Sequence, residues 1–181
     1  MSQKNKTRLE VQKILITSLN ECLESFSLSG WQVMEFANPS IQSADKVILV
    51  NMIRAERVGW QGRKYRNDSQ DQFSRSEEFI EEQSWQIHVI AKRKRPMTSA
   101  DMLAEDMATL LMTWLNGFGV DGLNAQGVAP LRIDLNNIIV YNDNSDLYQK
   151  RAVFTVKLQV PKEITLTQKP LEFENIEIHR I

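Results

Sequence analysis

The sequence predicts an α+β fold: a mostly antiparallel sheet packed against two main helices, with a long projecting β-hairpin. Three patterns carry that prediction. Two stretches place apolar residues at three- and four-residue steps, several others alternate at period two, and the elements run helix, strands, helix, strands. No period of roughly 20 to 50 residues recurs, which excludes a solenoid or propeller.

The first helix is read over Leu9 to Phe26, where Leu9, Ile16, Leu19, Leu23 and Phe26 share one side and Lys13, Asn20, Glu21 and Glu24 the other. Ser27 to Gly30 ends it, and Trp31 to Phe36 alternates as a short strand before the Asn38-Pro39-Ser40 turn. Val47 to Val50 is apolar on both faces, as a strand buried on both sides requires, and the run continues outward through Arg54 to Trp60. Gln61 to Ser76 is so polar that a long mobile loop is expected there. The return strand carries Trp85, Ile87, Val89 and Ala91 on one face and Gln86, His88 and Lys92 on the other.

A second helix is expected from near Ser99, capped by Thr98 and Asp101, with Leu103, Met107, Leu110, Leu111, Trp114 and Leu115 as its core stripe. The glycines from Gly117 to Gly122 stop it, and a polar connection leads to Pro130. Strands over Leu131 to Tyr141 and Arg151 to Val160 follow, joined by the Asn142 to Asp146 turn and closed by Pro161. Residues 1–161 therefore read as one domain. Residues 162–181 read as an extension whose Leu171, Phe173, Ile176 and Ile178 suit either a strand added to a neighbour or an edge strand of its own sheet.

Composition narrows the function classes. Of 181 residues, 42% are hydrophobic, enough for one sizeable core, and 22 basic residues balance 23 acidic ones, so nothing draws the whole chain to nucleic acid or an anionic membrane. The single cysteine, Cys22, reads as a buried thiol in a reducing compartment. The polar start and the lack of any run near ~20 apolar residues predict neither a signal peptide nor a membrane span.

Chemistry finds little purchase. Gly117-x-Gly119-x-x-Gly122 has dinucleotide-turn spacing, but it follows a helix rather than a strand and is read as helix termination. Two histidines, His88 and His179, lie too far apart for a local metal set, and Asn142 to Asp146 lacks the glycine and distal glutamate of a calcium loop, so no metal or cofactor is expected. His88 reads as a surface or interface residue. Glu77 and Glu81 read as a solvated acidic face, and no nucleophile elbow or phosphate loop is present, so an enzyme is not expected. The run Lys92, Arg93, Lys94, Arg95 is either a charged strand end or a phosphate-facing patch, the latter being the basis of an alternative reading as a small nucleic-acid-binding adaptor.

Trp85 to Ile90 leading through Thr98 into Asp101 to Ala104, and Tyr148 to Val156, follow an element order that resembles phage tail terminators, also called neck, gateway or tail-completion proteins. The likeness covers most of residues 9–160. It implies a ring of identical subunits, commonly six, that caps the tail tube and joins it to the head-proximal connector of a phage or prophage. It implies no catalytic residues, assembly in the bacterial host cytoplasm, and a final place in the virion tail. Independently, a hairpin charged on both faces is not stabilised by its own domain's core. Arg54, Glu56, Arg57, Glu78, Glu81 and Glu82 are accordingly the expected assembly interface, forming ion pairs between subunits, and Lys92 to Arg95 the expected point of any passing contact with DNA.

Overall fold

The structure is a computed structural model, described here for residues 5–36, 45–69, 72–92, 102–134, 139–142 and 149–168. Three helices, α1 (Arg8–Ser25), α2 (Ala104–Asn116) and α3 (Phe118–Ala125), accompany six strands. The strands are β1 (Gln32–Glu35), β2 (Lys46–Ser69), β3 (Gln72–Lys92), β4 (Ala129–Pro130), β5 (Ile139–Asn142) and β6 (Gln149–Gln168). The sheet order is β1-β2-β3-β6-β4, with β5 also on β6, and every pairing is antiparallel except β1 with β2.

Helix α1 starts where Thr7 and Glu10 cap each other: the Glu10 N–H donates to Thr7 Oγ1 (3.2 Å) and the Thr7 N–H to Glu10 Oε2 (2.6 Å). Those bonds to Thr7 lower the Glu10 pKa. The buried side is Val11, Leu15, Leu19, Cys22 and Leu23, rotated from the expected stripe, so that Leu9 and Phe26 are exposed. Ile16 only packs against the core from its margin.

Helix α2 begins at Ala104 behind Leu103, several residues later than expected; Thr98 and Asp101 lie outside the described residues. Met107, Leu111 and Leu115 are core as expected, joined by Ala104, Ala108 and Met112. The glycine run does not lead into loop. Gly117 breaks the chain direction and α3 follows at once, because Gly119 packs under Trp114: a Cβ on Gly119 would meet Trp114 Nε1 at 2.5 Å. Trp114 Nε1 in turn donates to Ser18 Oγ of α1 (3.2 Å). These glycines join two helices closely packed on α1, which is a role other than phosphate binding.

The three helices cover one face of the sheet. Ile48, Val50, Trp85, Ile87, Val89, Ala152, Phe154, Val156 and Leu158 point into that core. The opposite residues of the same strands, Val47, Leu49 and Ile90, form a second buried cluster with Met34. Val47 to Val50 is thus buried on both faces, as its sequence requires.

Three expectations about the strands fail. In the region expected as a loop from Gln61 to Ser76, the described residues are ladder: β2 extends to Ser69 and β3 begins at Gln72. The polar composition is compatible with strand because opposite charges and hydroxyls face each other across the ladder, as Lys64 does Glu78 (2.9 Å) and Ser76 does Thr165 (2.9 Å). Nor does Pro161 close β6, which runs on to Gln168 across the expected 161/162 boundary. The Pro161 carbonyl accepts from the Asn5 N–H (3.1 Å) on the side away from β3, so its ring nitrogen also faces outward, where the ladder with β3 needs no donor. The region expected as one strand from Leu131 to Tyr141 is a connection over 131–134 and strand at β5. The turn after Asn142 lies outside the described residues.

Candidate assembly interface

Beyond about Glu81 the sheet loses its helices and continues as an arm of three strands: β2, β3 and the outer part of β6. At ~3.4 Å per residue, the ten residues from Gln72 to Glu81 span on the order of 30 Å. The arm is not the two-stranded hairpin expected. β6 pairs with β3 without a break from Lys92↔Gln149 to Phe73↔Gln168, so β3 is central throughout.

A polar relay marks the base. Trp85 Nε1 in the core donates to the fully buried Gln83 (3.2 Å), Gln83 Nε2 donates to Glu81 (2.6 Å), and Glu81 faces Lys162 of β6 (3.9 Å). Lys162 Nζ also donates to the Lys6 carbonyl, and the Glu163 N–H to Asn5 Oδ1 (2.7 Å), tying the segment before α1 to the root of the arm. Above the relay, the helix-side face carries Phe79 beneath the Arg57 guanidinium, 4.1 Å from the ring centroid. Higher still come an Arg63–Glu77–Arg75 cluster and the exposed Tyr65, Ile164 and Leu166. Of three irregularities in the β2–β3 register, those between Met52 and Arg54 and between Val58 and Gly62 twist the outer half of β2, and the third lies near the tip between Asn67 and Ser69; Gly59 takes φ +81° at the second.

Of the six residues expected at the interface, Arg57, Glu78 and Glu81 lie on this arm and Arg54, Glu56 and Glu82 at its root, and they find partners within the chain. Arg54 pairs with Glu56 on its own strand, Glu78 with Lys64, Glu81 with Lys162, and Glu82, nearly buried, with Lys157 of β6 (2.8 Å). Glu81 and Glu82 point to opposite faces and serve β6, whose lysines the sequence reading missed. The signal was available: Ile164 and Leu166 keep the period-two alternation after Pro161. Arg54 and Arg57 are exposed cations of the outer strand, and an exposed pair such as Arg54–Glu56 is weak enough to exchange partners.

His88 departs from its expected exposure. It is buried on the helix-free face, where Arg151 Nε donates to Nδ1 (2.9 Å), so Nε2 carries the proton and donates to Gln86 Oε1 (2.9 Å). The Phe36 ring lies 5.2 Å away. Burial, then the Arg151 charge, lowers its pKa to about 4. Cys22 is buried as expected, and burial raises its thiol to about 11. Of the basic run, Lys92 closes β3 with its N–H on the Asp45 carbonyl (2.8 Å), while Arg93, Lys94 and Arg95 lie outside the described residues.

Glu77 and Glu81 each have cationic neighbours, and among the described residues no cluster of three or more His, Cys, Asp or Glu side chains could hold a metal. No described helix is long and apolar enough to cross a membrane. An open groove of about 920 Å³ lies between the end of α2, α3 and residues 130–134, where Asn116 holds both the N–H and the carbonyl of Ile133 (2.8 Å each).

No curated protein matches the chain. The family model of the E217 gateway protein gp29 matches residues 10–169, a span that takes in the helices, the whole sheet and the arm to its tip. The chain therefore belongs to the E217 gateway protein gp29 family, phage proteins of the gateway or connector type.

Proposed function

We infer that this chain is a non-enzymatic structural component of the phage neck, acting as a tail-completion subunit. Copies assemble through their arms into a ring, probed first as a hexamer, that joins the tail tube to the head-proximal connector. Its working partners are other copies of itself and those two components, with DNA passing near the run Lys92 to Arg95.

The observation that carries this reading is the arm. Three strands leave the helical layer behind and hold exposed apolar and ionic side chains over ~30 Å, a surface with little core of its own. A neighbour that covered it would complete its burial, and the interspersed ion pairs would fix register and partner choice. Membership of the gateway family supports a place among virion components. A ring of like subunits requires two different complementary surfaces on each copy, and the arm has two unlike edges.

Native mass measurement of the purified chain tests the reading, alone and with Arg54→Glu and Arg57→Glu combined. The parent is expected to give a discrete ring and the double variant a folded monomer with unchanged circular dichroism. A double variant that keeps the parent's oligomeric mass removes the arm from the interface. The nucleic-acid adaptor reading predicts instead tight DNA binding that weakens steeply between low and high salt.

A further inference from the structure

The outer edge of β2 is the longest uncovered strand edge among the described residues. β1 pairs with it only from Val47 to Val50, and beyond the Phe36 N–H on the Val50 carbonyl no described backbone group bonds to that side. Such an edge is a template for another strand. Between its first two irregularities lies the regular stretch Arg54 to Val58, bordered by Ile53, which is 51% exposed, and carrying the exposed cations Arg54 and Arg57. Farther out stand Arg63 and Lys64.

The sequence contains a segment of matching chemistry. After Gln168 come Lys169 and Pro170, then Leu171-Glu172-Phe173-Glu174, alternating apolar and acidic, followed by Asn175-Ile176-Glu177-Ile178. Three glutamates and no cation stand between Leu171 and Ile178. We propose that this segment of one copy adds as a strand to the outer β2 edge of the next copy along Arg54 to Val58, with its glutamates on the arginines and its apolar residues over Ile53. The inference rests on the ring reading above and names the contact that joins successive subunits.

Reach argues against the same copy. Gln168 sits at the tip, level with Phe73 and Asn67, on the far side of β3 from β2. The outer side of β2 is three strand spacings away, ~14 Å. Arg54 to Val58 begins nine residues down the strand from Asn67, a further ~30 Å. From Gln168 to Leu171 there are three Cα steps, at most ~11 Å. A tight fold back onto the outer edge of β6 itself meets a different obstacle: two-residue hairpin turns need positive φ at their first central residue, which Lys169 disfavours, or at both, which Pro170 forbids. An unlike pair of surfaces, tail on one side and β2 edge on the other, also gives the head-to-tail contact that closes rings.

Three measurements test this. Deleting residues 169–181 is expected to leave circular dichroism unchanged and abolish the oligomer; Glu172→Lys with Glu174→Lys in the full chain is expected to do the same without shortening it. A synthetic peptide of residues 169–181 is expected to bind the truncated chain, to protect amides of Arg54 to Val58 from hydrogen exchange, and to bind about tenfold or more weakly to the Arg54→Glu, Arg57→Glu form. A truncated chain that assembles like the parent, a peptide that does not bind, or protection confined to Ile164 to Gln168 overturns the proposal. Peptide binding at β2 by a full chain that never forms a ring would uphold the strand addition and sink the ring, so the two fail separately.

Discussion

The same three strands, β2, β3 and β6, build two regions of opposite character. In the body, Ile48, Val50, Trp85, Ile87, Phe154 and Val156 are almost fully buried under the helices. In the arm, the continuing strands present Tyr65, Ile164 and Leu166 to solvent among exposed ion pairs. Backbone pairing is continuous across both, as the unbroken β3–β6 register demonstrates. The comparison teaches that hydrogen-bonded strand extends well past the point where apolar burial stops, and that the two regions should answer perturbation differently: the body in stability, the arm in association.

The largest expected effect is in the body. Phe154→Ala, or Trp85→Ala, should lower unfolding stability by about 3–5 kcal/mol in urea titration, whereas Tyr65→Ala on the arm should change it by less than ~0.5 kcal/mol. Equal losses at Phe154 and Tyr65 would mean that the arm has a core of its own.

Next comes acid. Folded His88 titrates near 4 and an unfolded histidine near 6.5, so between these values the unfolded chain binds the extra proton. Stability contributed by neutral His88 is then complete above about pH 6.5 and is lost as pH falls through about 4, by on the order of 2–3 kcal/mol. His88→Gln should flatten that part of the pH profile, and a profile identical to the parent's would remove His88 from the acid response.

Smaller still is the ion pair that anchors the third strand. Lys157→Ala leaves the nearly buried Glu82 without its cation and should cost about 1 kcal/mol. The smallest effect belongs to the exposed Arg54–Glu56 pair, where Arg54→Ala should move stability by less than ~0.5 kcal/mol while weakening self-association. Stability changes of the reverse order at Lys157 and Arg54 would place the structural pair on the outer strand instead.

Legibility followed the same division. The body was readable because burial imposes period: Trp85, Ile87, Val89 and Ala91 alternate in sequence and share one core. The arm was readable as a hairpin but not in extent. Its ladder from Gly62 to Asn67 is written, Tyr65 apart, in glycine and charged or polar residues, whose composition alone is also that of a loop. His88 was misplaced because parity gives a face, not its covering. It sits on the helix-free side as alternation requires, yet Arg151, Gln86 and Phe36 close around it from two strands and a strand end.

By itself, then, the sequence determined the fold class, the two-sided burial of Val47 to Val50, the burial of Cys22 and the charged character of the arm, since each is a local pattern of residue type. Tertiary structure alone decided that β6 would pass through Pro161 to become a third arm strand, that Gly119 would seat Trp114, and which cation each of Glu78, Glu81 and Glu82 would meet. Those outcomes depend on strand register, and register is set by contacts between residues far apart in the chain.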